Sequence, residues 1–523
     1  MNSARARNIV FLAIVLVYLA YAALYIWRTS FVLCGERYFC LFDDAMISMR
    51  YARNLAEGHG LVWNPGGDRV EGFTNPLWVL YMALFHVLPI SAAKMSLCIQ
   101  VSGMVFMVGV LFIVKRMAEL LSNGSPWVSA AAAFLTAFYL PVTTWTLQGM
   151  EVSALMLVVS LALWQALRGL RSGRFSLGPY LWLGVGTLIR PDGVVLLLAL
   201  ALYLIFADRR NRRAHVVSAV LLLIFFVGLQ TAFRWIYYGD VFPNTYYLKM
   251  THYPLLLRWC AGAAGFYQMV FRMNWVLVLV ALAAVWIRRN REELALFWVF
   301  AAQSAYEIYV GGDAWGWGVV ASRYACTVMP FFFILFALAI ERLLSWVADT
   351  TAAGPPLARW AGPAKGVLLV VGLPSFNAIS GPEPLAEYLL VTRPFQVDGN
   401  CRRVDFALHL KRITQPGATI AVVYGGAIPY FADRQMIDLL GKSDKKVARE
   451  TMRQITGLWK YIYFYPGHLK WDYAYSIGEL KPDVVAQLWW KPEEAEPYLK
   501  ADYTARTFGG FTYYVRNGSP NVR

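Results

Sequence analysis

Residues 76–90, PLWVLYMALFHVLPI, decide how the chain is arranged about a membrane. The run is apolar but only 15 residues long, and a transmembrane helix needs about 20. If it spans the membrane, the basic clusters at Lys115–Arg116, 168–174 and 209–213 lie outside. If it lies along the surface, these clusters all fall on the cytoplasmic side, as the positive-inside rule requires. The sequence therefore predicts an interfacial helix at 76–90.

The composition is that of a polytopic α-helical membrane protein. Of its 523 residues, 58% are hydrophobic and only 15% are charged, which is too apolar a balance for an ordinary soluble protein. The net charge of +16 is concentrated in short clusters between apolar runs. This is the positive-inside pattern and not a nucleic-acid-binding surface. We therefore expect the lipid bilayer, and no nucleic acid, as a partner.

Eleven apolar runs are candidates for membrane spans once 76–90 is placed at the surface. The N-terminus then lies in the cytoplasm and the C-terminus outside. The predicted spans are 8–27, 95–114, 126–141, 152–168, 177–190, 193–207, 214–236, 274–288, 294–310, 325–346 and a weaker run at 365–376. The Gly- and Pro-rich stretch 350–366 is predicted to be a cytoplasmic linker before the last span.

This topology brings five polar segments to the outer face of the membrane. They are the Asp43–Asp44 loop, TLQGME (146–151), IRPDG (189–193), YYGDVFPNTYYLKM (237–250) and GGDAWGWG…SRY (311–324). Charged residues at the ends of spans are costly unless they line a cavity, and the cytoplasmic loops hold basic clusters and little else. We therefore predict one extracytoplasmic site, and the alternative is a set of ordinary solvated loops.

The last part of the chain has a different pattern. Residues 377–523 contain no run of membrane length, and short β-rich pieces at 419–425, 461–466, 483–490 and 510–516 alternate with polar stretches that favour helix. The sequence predicts an α/β domain on the outer face, large enough to fold alone. Residues 1–376 then form the transmembrane domain.

Asp43 and Asp44 begin an amphipathic stretch that is predicted to be a helix ending at Gly58. A carboxylate at the rim of a membrane domain can act as a general base on a hydroxyl group. Two adjacent carboxylates raise each other's proton affinity, which helps a base near neutral pH. The structural alternative is that Asp43 simply caps the helix.

The chain resembles a known family over most of its length. The stretches that carry the resemblance are DDAMISMRYARNLAEGHGLVWNPGGDRVEGFTNPLW (43–78), LQGME (147–151), RPDG (190–193), GDVFPNTYYLK (239–249), GGD (311–313) and IPYFADRQMIDLLGKSD (428–444). They are similar to the mycobacterial terminal arabinofuranosyltransferases, which belong to the GT-C glycosyltransferases. The GKSD sequence at 441–444 departs slightly from the family pattern, and we expect it not to touch the catalytic face.

The resemblance implies a fold, an activity and a location. A GT-C enzyme carries its acidic motif in the first outer loop, between two juxtamembrane helices, and this motif maps onto Asp43 and Asp44. The implied donor is a polyprenyl-phosphate sugar, decaprenyl- or undecaprenyl-phosphate arabinofuranose, and the implied acceptor is a glycan or another component of the cell envelope. Transfer would occur on the outer face of the bacterial cytoplasmic membrane. A divalent cation could bridge the two aspartates and the donor phosphate, but no ligand spacing demands one.

Within this frame we predict that Asp43 is the catalytic base and that Asp44 supports it. A cation at the interface would bind the donor phosphate. Lys249 is the first choice because a tyrosine pair and Asn244 lie beside it. The other cationic candidates are Arg50, His252 and Arg323. Each cation has an alternative reading as a snorkelling surface residue.

Further residues are candidates for binding sugar. The acidic candidates for hydrogen bonds to sugar hydroxyls are Glu151, Asp192, Asp240 and Asp313; each could instead cap a helix or pair with arginine. Glu71 and Asn75 lead into the interfacial helix, and capping alone would explain Asn75. Aromatic candidates for stacking are Tyr247 and Trp315, together with Tyr246 and Trp317, although an interfacial aromatic belt has the same composition.

Two other functions compete with this interpretation. A transporter or flippase of lipid-linked sugars would be expected to show mid-membrane charges, broken helices and related halves, and the sequence shows neither matching halves nor an ionisable residue deep within a span. The second alternative is a GT-C enzyme with another sugar and a protein acceptor. The clustering of motifs at one face favours an enzyme.

Overall fold

Long apolar helices build the first two thirds of the chain. The computed structural model describes residues 3–288, 290–315, 321–350, 365–367, 369, 371–377, 384–455 and 464–523. The helices of this part are α1 (Ser3–Thr29), α2 (Asp43–Ala56), α3 (Pro76–His86), α4 (Ala92–Leu121), α5 (Pro126–Ala137), α6 (Leu140–Leu147), α7 (Val152–Ser172), α8 (Gly178–Ile189), α9 (Gly193–Ala207), α10 (Arg212–Tyr238), α11 (Asn244–Met250), α12 (Leu255–Arg272), α13 (Trp275–Arg288) and α14 (Arg291–Val310), followed by Arg323–Cys326 and Met329–Thr350. A short hairpin of β1 (Phe31–Leu33) and β2 (Glu36–Tyr38) follows α1.

Fewer helices are long enough to span a membrane than the eleven spans that the sequence predicts. Within the described residues, five helices are long and apolar enough to cross a membrane, or seven if each of two bent pairs counts as one span. The predicted spans at 177–190 and 193–207 fold as α8 and α9, which have only 12 and 15 residues. The count of eleven therefore stays a prediction. Of the predicted linker, residues 351–364 lie outside the described part of the chain.

The two bent pairs have local causes. Helices α5 and α6 meet at 53°, where Pro141 in the first turn of α6 cannot continue the hydrogen bonding of α5. Helices α12 and α13 meet at 94° around Asn274, whose φ of +66° ends the first helix. The predicted span 126–141 is thus broken near Pro141, whereas the predicted span 274–288 begins at the second bend and forms α13.

Helix α3 has the features expected of an interfacial helix. Its 11 residues extend about 16 Å, roughly half the thickness of the hydrocarbon core of a membrane. Leu84 and Val87 are 67% and 73% exposed, which suits contact with lipid. Helix α3 packs against α2, and α2 ends at Ala56, just before Gly58, whose φ is +84°. The predicted end of this helix at Gly58 is confirmed.

The C-terminal domain, residues 384–523, is built on a five-stranded sheet. Its strands are β3 (Thr419–Val422), β4 (Gln435–Asp438), β5 (Val484–Val485), β6 (Tyr503–Phe508) and β7 (Phe511–Arg516), in the order β4-β3-β5-β7-β6. Strands β3, β4 and β5 are parallel, and β7 is antiparallel to β5 and β6. The helices are Pro384–Tyr388, Val397–Ile413, Ala427–Ala432, Lys445–Arg449 and Glu496–Asp502, with a π-helical turn at Ala474–Glu479.

Three of the four predicted strands are confirmed in this domain. The pieces at 419–425, 483–490 and 510–516 contain β3, β5 and β7. Of the predicted strand at 461–466, residues 461–463 lie outside the described part and 464–466 are not in a strand. The buried side chains of Phe406, Ile420 and Val422 form part of the core between the long helix and the sheet.

The C-terminal domain covers α2 closely. The Arg50 guanidinium is 1% exposed and donates hydrogen bonds to the carbonyl oxygens of Pro429 and Arg434. Arg53 donates to the carbonyl of Tyr430 at 2.9 Å and pairs with Asp433 at 2.7 Å. The guanidinium of Arg50 is therefore hydrogen-bonded, and that of Arg53 is paired with a carboxylate, across the contact between the two parts of the chain.

The placement of α3 can be tested by labelling. Gly67, between α2 and α3, and Ser172, at the end of α7, are both exposed. In a cysteine-free background, Gly67→Cys should react with a membrane-impermeant maleimide added from outside intact cells, and Ser172→Cys should react only after the membrane is opened. Labelling of both sites from outside, or of Ser172→Cys alone, would contradict the interfacial position.

Candidate functional site

A cavity of about 330 Å³ lies where the helical part meets the C-terminal domain. It lies between α2, the α8–α9 corner, the segment from α10 to α11 and the loop after β4. Six residues predicted from sequence line it: Asp44, Asn75, Asp192, Tyr246, Lys249 and Arg323. Three cations not predicted for the site also line it: Arg190, Arg234 and Lys442. Polar segments far apart in the sequence thus converge on one site.

Asp44 is the centre of an ion cluster in this cavity. One carboxylate oxygen accepts a hydrogen bond from Arg323 Nη1 at 2.9 Å, and the other accepts one from Lys442 Nζ at 2.8 Å. Arg323 in turn pairs with both oxygens of Asp313, at 2.8 and 3.1 Å. Burial would raise the pKa of Asp44, but the charges of Lys442, Arg323 and Lys249 hold it well below its usual value. Asp44 is therefore ionised.

Asp43 is turned away from the cavity. It is the first residue of α2, and its carboxylate accepts the backbone N–H of Ala427 in the C-terminal domain at 2.9 Å. The alternative that it caps α2 does not hold, because the helix has no side-chain cap at its N-terminus. Asp43 is 5% exposed, and burial raises its pKa although Arg403 acts in the opposite direction. The two adjacent aspartates thus lie in different surroundings.

Lys249 lies on the cavity wall without a charged partner. It belongs to the last turn of α11. Burial lowers its pKa to about 8, and the nearby charge of Arg323 acts in the same direction. Within the described residues no carboxylate lies within 4.0 Å of its ammonium group. This is the arrangement expected of a cation that receives an anionic ligand.

A second polar network supports the wall opposite. Arg190 pairs with Glu151 at 2.6 Å and with Asp192 at 2.8 Å. The Asn75 amide donates to the other oxygen of Glu151 at 2.8 Å and accepts from the Ser48 hydroxyl at 2.9 Å. These contacts connect the N-terminal ends of α7 and α9, and also α2, to the start of α3. Glu151 and Asp192 therefore pair with an arginine, which is the alternative to sugar binding that the sequence leaves open.

Two other acidic candidates, Glu71 and Asp240, form ion pairs with basic side chains. Glu71 pairs with Arg234 at 2.7 Å beside the cavity. Asp240 pairs with Arg449 at 2.7 Å and with Lys445 at 3.2 Å, both in the C-terminal domain. Both oxygens of Asp240 and one oxygen of Glu71 are therefore engaged by cationic side chains.

Further candidates lie around the site rather than in its wall. Asn244 holds the loop after β4 through its side-chain amide, and the ring of Tyr247 lies under the Arg449 guanidinium at 4.1 Å. The other predicted phosphate ligands, Arg50 and His252, are elsewhere. Arg50 is buried against the C-terminal domain, as described above, and His252 is exposed in a turn with a φ of +60°.

Trp315 packs against Phe42, the residue that precedes Asp43 and Asp44. Its ring packs edge-on against Phe42, with centroids 5.1 Å apart, and against His468 at 6.3 Å. Burial lowers the pKa of His468 to about 3, so this imidazole is neutral. Trp317, also predicted as a stacking residue, lies outside the described residues.

The expectation for the GKSD sequence is wrong. Lys442, its second residue, reaches the cavity and contacts Asp44. Nothing in the local pattern of a short loop predicts this contact, because the two residues are 398 positions apart. The only signal in the sequence is that the loop belongs to a stretch that carries the family resemblance.

The two aspartates do not fit a bridging metal site. Both oxygens of Asp44 are bonded to cationic side chains, and Asp43 is directed to Ala427. Among the described residues there is no group of three His, Cys, Asp or Glu side chains that could hold a metal ion. We therefore derive the chemistry of the site from the side chains alone.

Comparison with known proteins relates separate parts of the chain to two families. Residues 76–235 match the family described as dolichyl-phosphate-mannose-protein mannosyltransferase, and residues 396–519 match a domain of unknown function (DUF8728). A curated relative from Mycobacterium tuberculosis, the terminal beta-(1->2)-arabinofuranosyltransferase, is 29% identical over 217 residues. The match covers 39% of this chain and 34% of that protein, about a third of its length.

Solved structures share the fold over almost the whole chain. ArnT from Cupriavidus metallidurans bound to undecaprenyl phosphate has a TM-score of 0.57 and 14% identity, with 97% of this chain and 98% of that chain covered. The archaeal oligosaccharyltransferase AglB from Archaeoglobus fulgidus, in complex with an inhibitory peptide and a dolichol-phosphate, has a TM-score of 0.61 and 10% identity, with 98% and 74% covered. The chain therefore shares its fold with these two structures, and its described part contains five to seven apolar stretches long enough to cross a membrane.

Proposed function

We propose that this protein is a glycosyltransferase that moves D-arabinofuranose from a polyprenyl-phosphate donor to a glycan or another cell-envelope acceptor. The donor would be decaprenyl- or undecaprenyl-phosphate arabinofuranose, used at the outer face of the bacterial cytoplasmic membrane. In this proposal residues 1–376 form the catalytic membrane domain and residues 377–523 the extracytoplasmic domain. The observation that carries it is a cavity lined by the ionised carboxylate of Asp44 and by Lys249, whose ammonium has no carboxylate within 4.0 Å among the described residues.

The charges around the cavity suit a phosphate ester. Five cations line the cavity, and four of them, Arg190, Arg234, Arg323 and Lys442, lie within 4.0 Å of a carboxylate. Lys249 has no such partner among the described residues, and its charge matches the single negative charge of a polyprenyl-phosphoryl sugar. A cation at this position binds the phosphate and stabilises the charge that develops on it as the sugar departs.

Asp44 is placed to activate the acceptor. It lines the cavity, whereas Asp43 contacts the C-terminal domain. We therefore assign the general base to Asp44 and a positioning role to Asp43, which reverses the order predicted from sequence. A general base gives inversion at the anomeric carbon, whereas direct attack by the carboxylate would give retention. The anomeric configuration of the product distinguishes the two.

The choice of arabinofuranose rests on two likenesses. The motifs at 43–78 and 428–444 resemble the arabinofuranosyltransferases, and the curated relative at 29% identity carries that name. The match of residues 76–235 to a mannosyltransferase family supports the alternative of another sugar with a protein acceptor. Both versions use a polyprenyl-phosphate donor and the same cavity.

Reconstituted protein can separate these versions. Purified protein in liposomes should transfer label from decaprenyl-phosphate arabinofuranose to a short arabinan acceptor, with little transfer from the matching mannose donor. Transfer from the mannose donor alone, or to a peptide acceptor alone, would replace the sugar or the acceptor in the proposal. No transfer from any polyprenyl-phosphate donor would overturn the proposal.

Lys249→Ala should weaken donor binding without unfolding the protein. The loss of one charge-assisted contact to phosphate is worth about 1.5–3 kcal/mol, or at least about tenfold in donor affinity. Lys249→Gln should not restore it, and His252→Ala, in an exposed turn, should bind donor like the wild type. Normal turnover of Lys249→Ala at low donor concentration would leave Arg323 as the better phosphate ligand.

Donor use should also depend on pH through Lys249. Burial lowers the pKa of this ammonium to about 8, so it is charged below that pH and neutral above it. The donor is a phosphodiester whose charge stays constant over this range. We expect kcat/KM for the donor to fall as the pH rises through about 8, and this fall to be absent in Lys249→Gln. An unchanged profile in that variant would assign the titration to another group.

A further inference from the structure

We propose that the C-terminal domain supplies a second ligand for the donor phosphate, Lys442, and that this lysine leaves Asp44 when the donor binds. In this exchange the phosphate takes over the lysine that Asp44 holds in the free protein, and Asp44 becomes free to accept the proton of the acceptor. The inference rests on the proposed function, because it takes a polyprenyl phosphate as the ligand of the cavity.

Lys442 belongs to a loop whose backbone is held from both sides. The loop follows β4, and the Asp438 carboxylate accepts the N–H groups of Leu440 at 2.9 Å and Ser443 at 2.6 Å. From the membrane part, the Asn244 amide donates to the carbonyl oxygen of Lys442 at 3.0 Å. The position of the loop is therefore fixed without the lysine side chain, and this side chain can move while the backbone stays in place.

Lys442 is held by fewer bonds than Arg323 in the ion cluster. Arg323 is anchored by two bonds to Asp313 in addition to its bond to Asp44. In the described part of the chain the Lys442 ammonium has one hydrogen-bond partner, Asp44 at 2.8 Å. An ammonium group has three donors, so two directions remain for phosphate oxygens. Of the two cations that contact Asp44, Lys442 therefore has fewer other bonds to break when it changes partner.

The location of Lys442 fits the same ligand as Lys249. Both lysines line the cavity, and both charges act on Asp44. Of the described residues that line it, Lys442 alone comes from the C-terminal domain. A phosphate between the two ammonium groups would therefore be held by both parts of the chain.

The exchange has a consequence for the base. After burial itself, Lys442 has the largest influence on the pKa of Asp44 and lowers it. A carboxylate held by two cations is a weak base, and the loss of one of them raises its pKa. The carboxylate would thus become a better proton acceptor only after the donor occupies the cavity.

Binding of undecaprenyl phosphate to the full-length protein in detergent tests the first part. Lys442→Met should weaken binding about tenfold, the loss expected for one charge-assisted contact. Lys445→Met is the matched control, because Lys445 lies three residues later and reaches the membrane part through Asp240 at 3.2 Å; it should bind like the wild type. Wild-type affinity in Lys442→Met, or equal losses in both variants, would overturn the inference alone. No binding by the wild type would overturn the proposed donor class as well.

Asp44→Asn tests the exchange itself. A neutral amide no longer competes with phosphate for Lys442, so this variant should bind undecaprenyl phosphate more tightly than the wild type, by roughly threefold or more. The gain should disappear in the double variant Asp44→Asn, Lys442→Met. A lysine that served only to stabilise the fold would give no gain in either case. Weaker binding by Asp44→Asn than by the wild type would overturn the exchange.

Discussion

Asp44→Asn should remove most of the transfer activity while the protein stays folded. General-base assistance is typically worth about 10²–10⁴-fold in rate, and an amide of the same size cannot supply it. Arg323 keeps its two bonds to Asp313 in this variant, so the cavity wall should persist. The measurement is transfer from synthetic polyprenyl-phosphate arabinofuranose to a short glycan, with thermal unfolding followed in parallel.

Asp43→Asn is the matched comparison. Among the described residues the Asp43 carboxylate accepts one hydrogen bond, from the N–H of Ala427, and the carbonyl oxygen of asparagine can accept the same bond. We therefore expect a smaller loss of rate than for Asp44→Asn. Wild-type turnover in Asp44→Asn, together with loss in a stably folded Asp43→Asn, would restore the order predicted from sequence and reduce Asp44 to an ion-pair partner.

The proposed reversal of the two aspartates shows what a local pattern leaves open. Successive residues of an α-helix point about 100° apart, so adjacent acids at its start face different surroundings. The sequence places both at the beginning of α2, and α2 does begin at Asp43. Which of them faces the cavity depends on Ala427 and Lys442, 384 and 398 positions away, and no periodicity carries that information.

The parts that could be predicted are those set by local rules. The distribution of basic residues and the length of the apolar run predict the short helix α3. Gly58 predicts the end of α2. The predicted topology places the polar segments on one face, and Asp192, Lys249 and Arg323 from three of these segments do line one cavity.

The parts that could not be predicted depend on lengths and partners set by packing. Helices α8 and α9 are too short for typical spans, although their sequences are as apolar as spans. Arg50 was predicted as a phosphate ligand because it lies on the helix that carries the aspartates. Its position in that helix directs it instead into the contact with the C-terminal domain.

Gly426→Ala should separate the C-terminal domain from the site. A Cβ atom at this position would lie 1.9 Å from the carbonyl oxygen of Asp43 and 2.9 Å from Cβ of Met46. The first of these is backbone at the start of α2 and cannot swing aside. The φ of Gly426 is −108°, so an alanine meets no strain of its own and the effect is purely one of space.

The domain must therefore move away from α2, which breaks the bond between Asp43 and Ala427 and withdraws Lys442 from the cavity. Overpacking of this kind costs about 1–3 kcal/mol, and we expect a lower unfolding temperature together with at least about a tenfold loss of transfer. Gly425→Ala is the matched control at the preceding residue. Its Cβ would lie 3.7 Å from the side chain of Ile47 and 3.8 Å from that of Trp63, which is ordinary van der Waals contact. Equal activity and equal stability of Gly426→Ala and Gly425→Ala would mean that close packing of the C-terminal domain against α2 is not needed for the reaction.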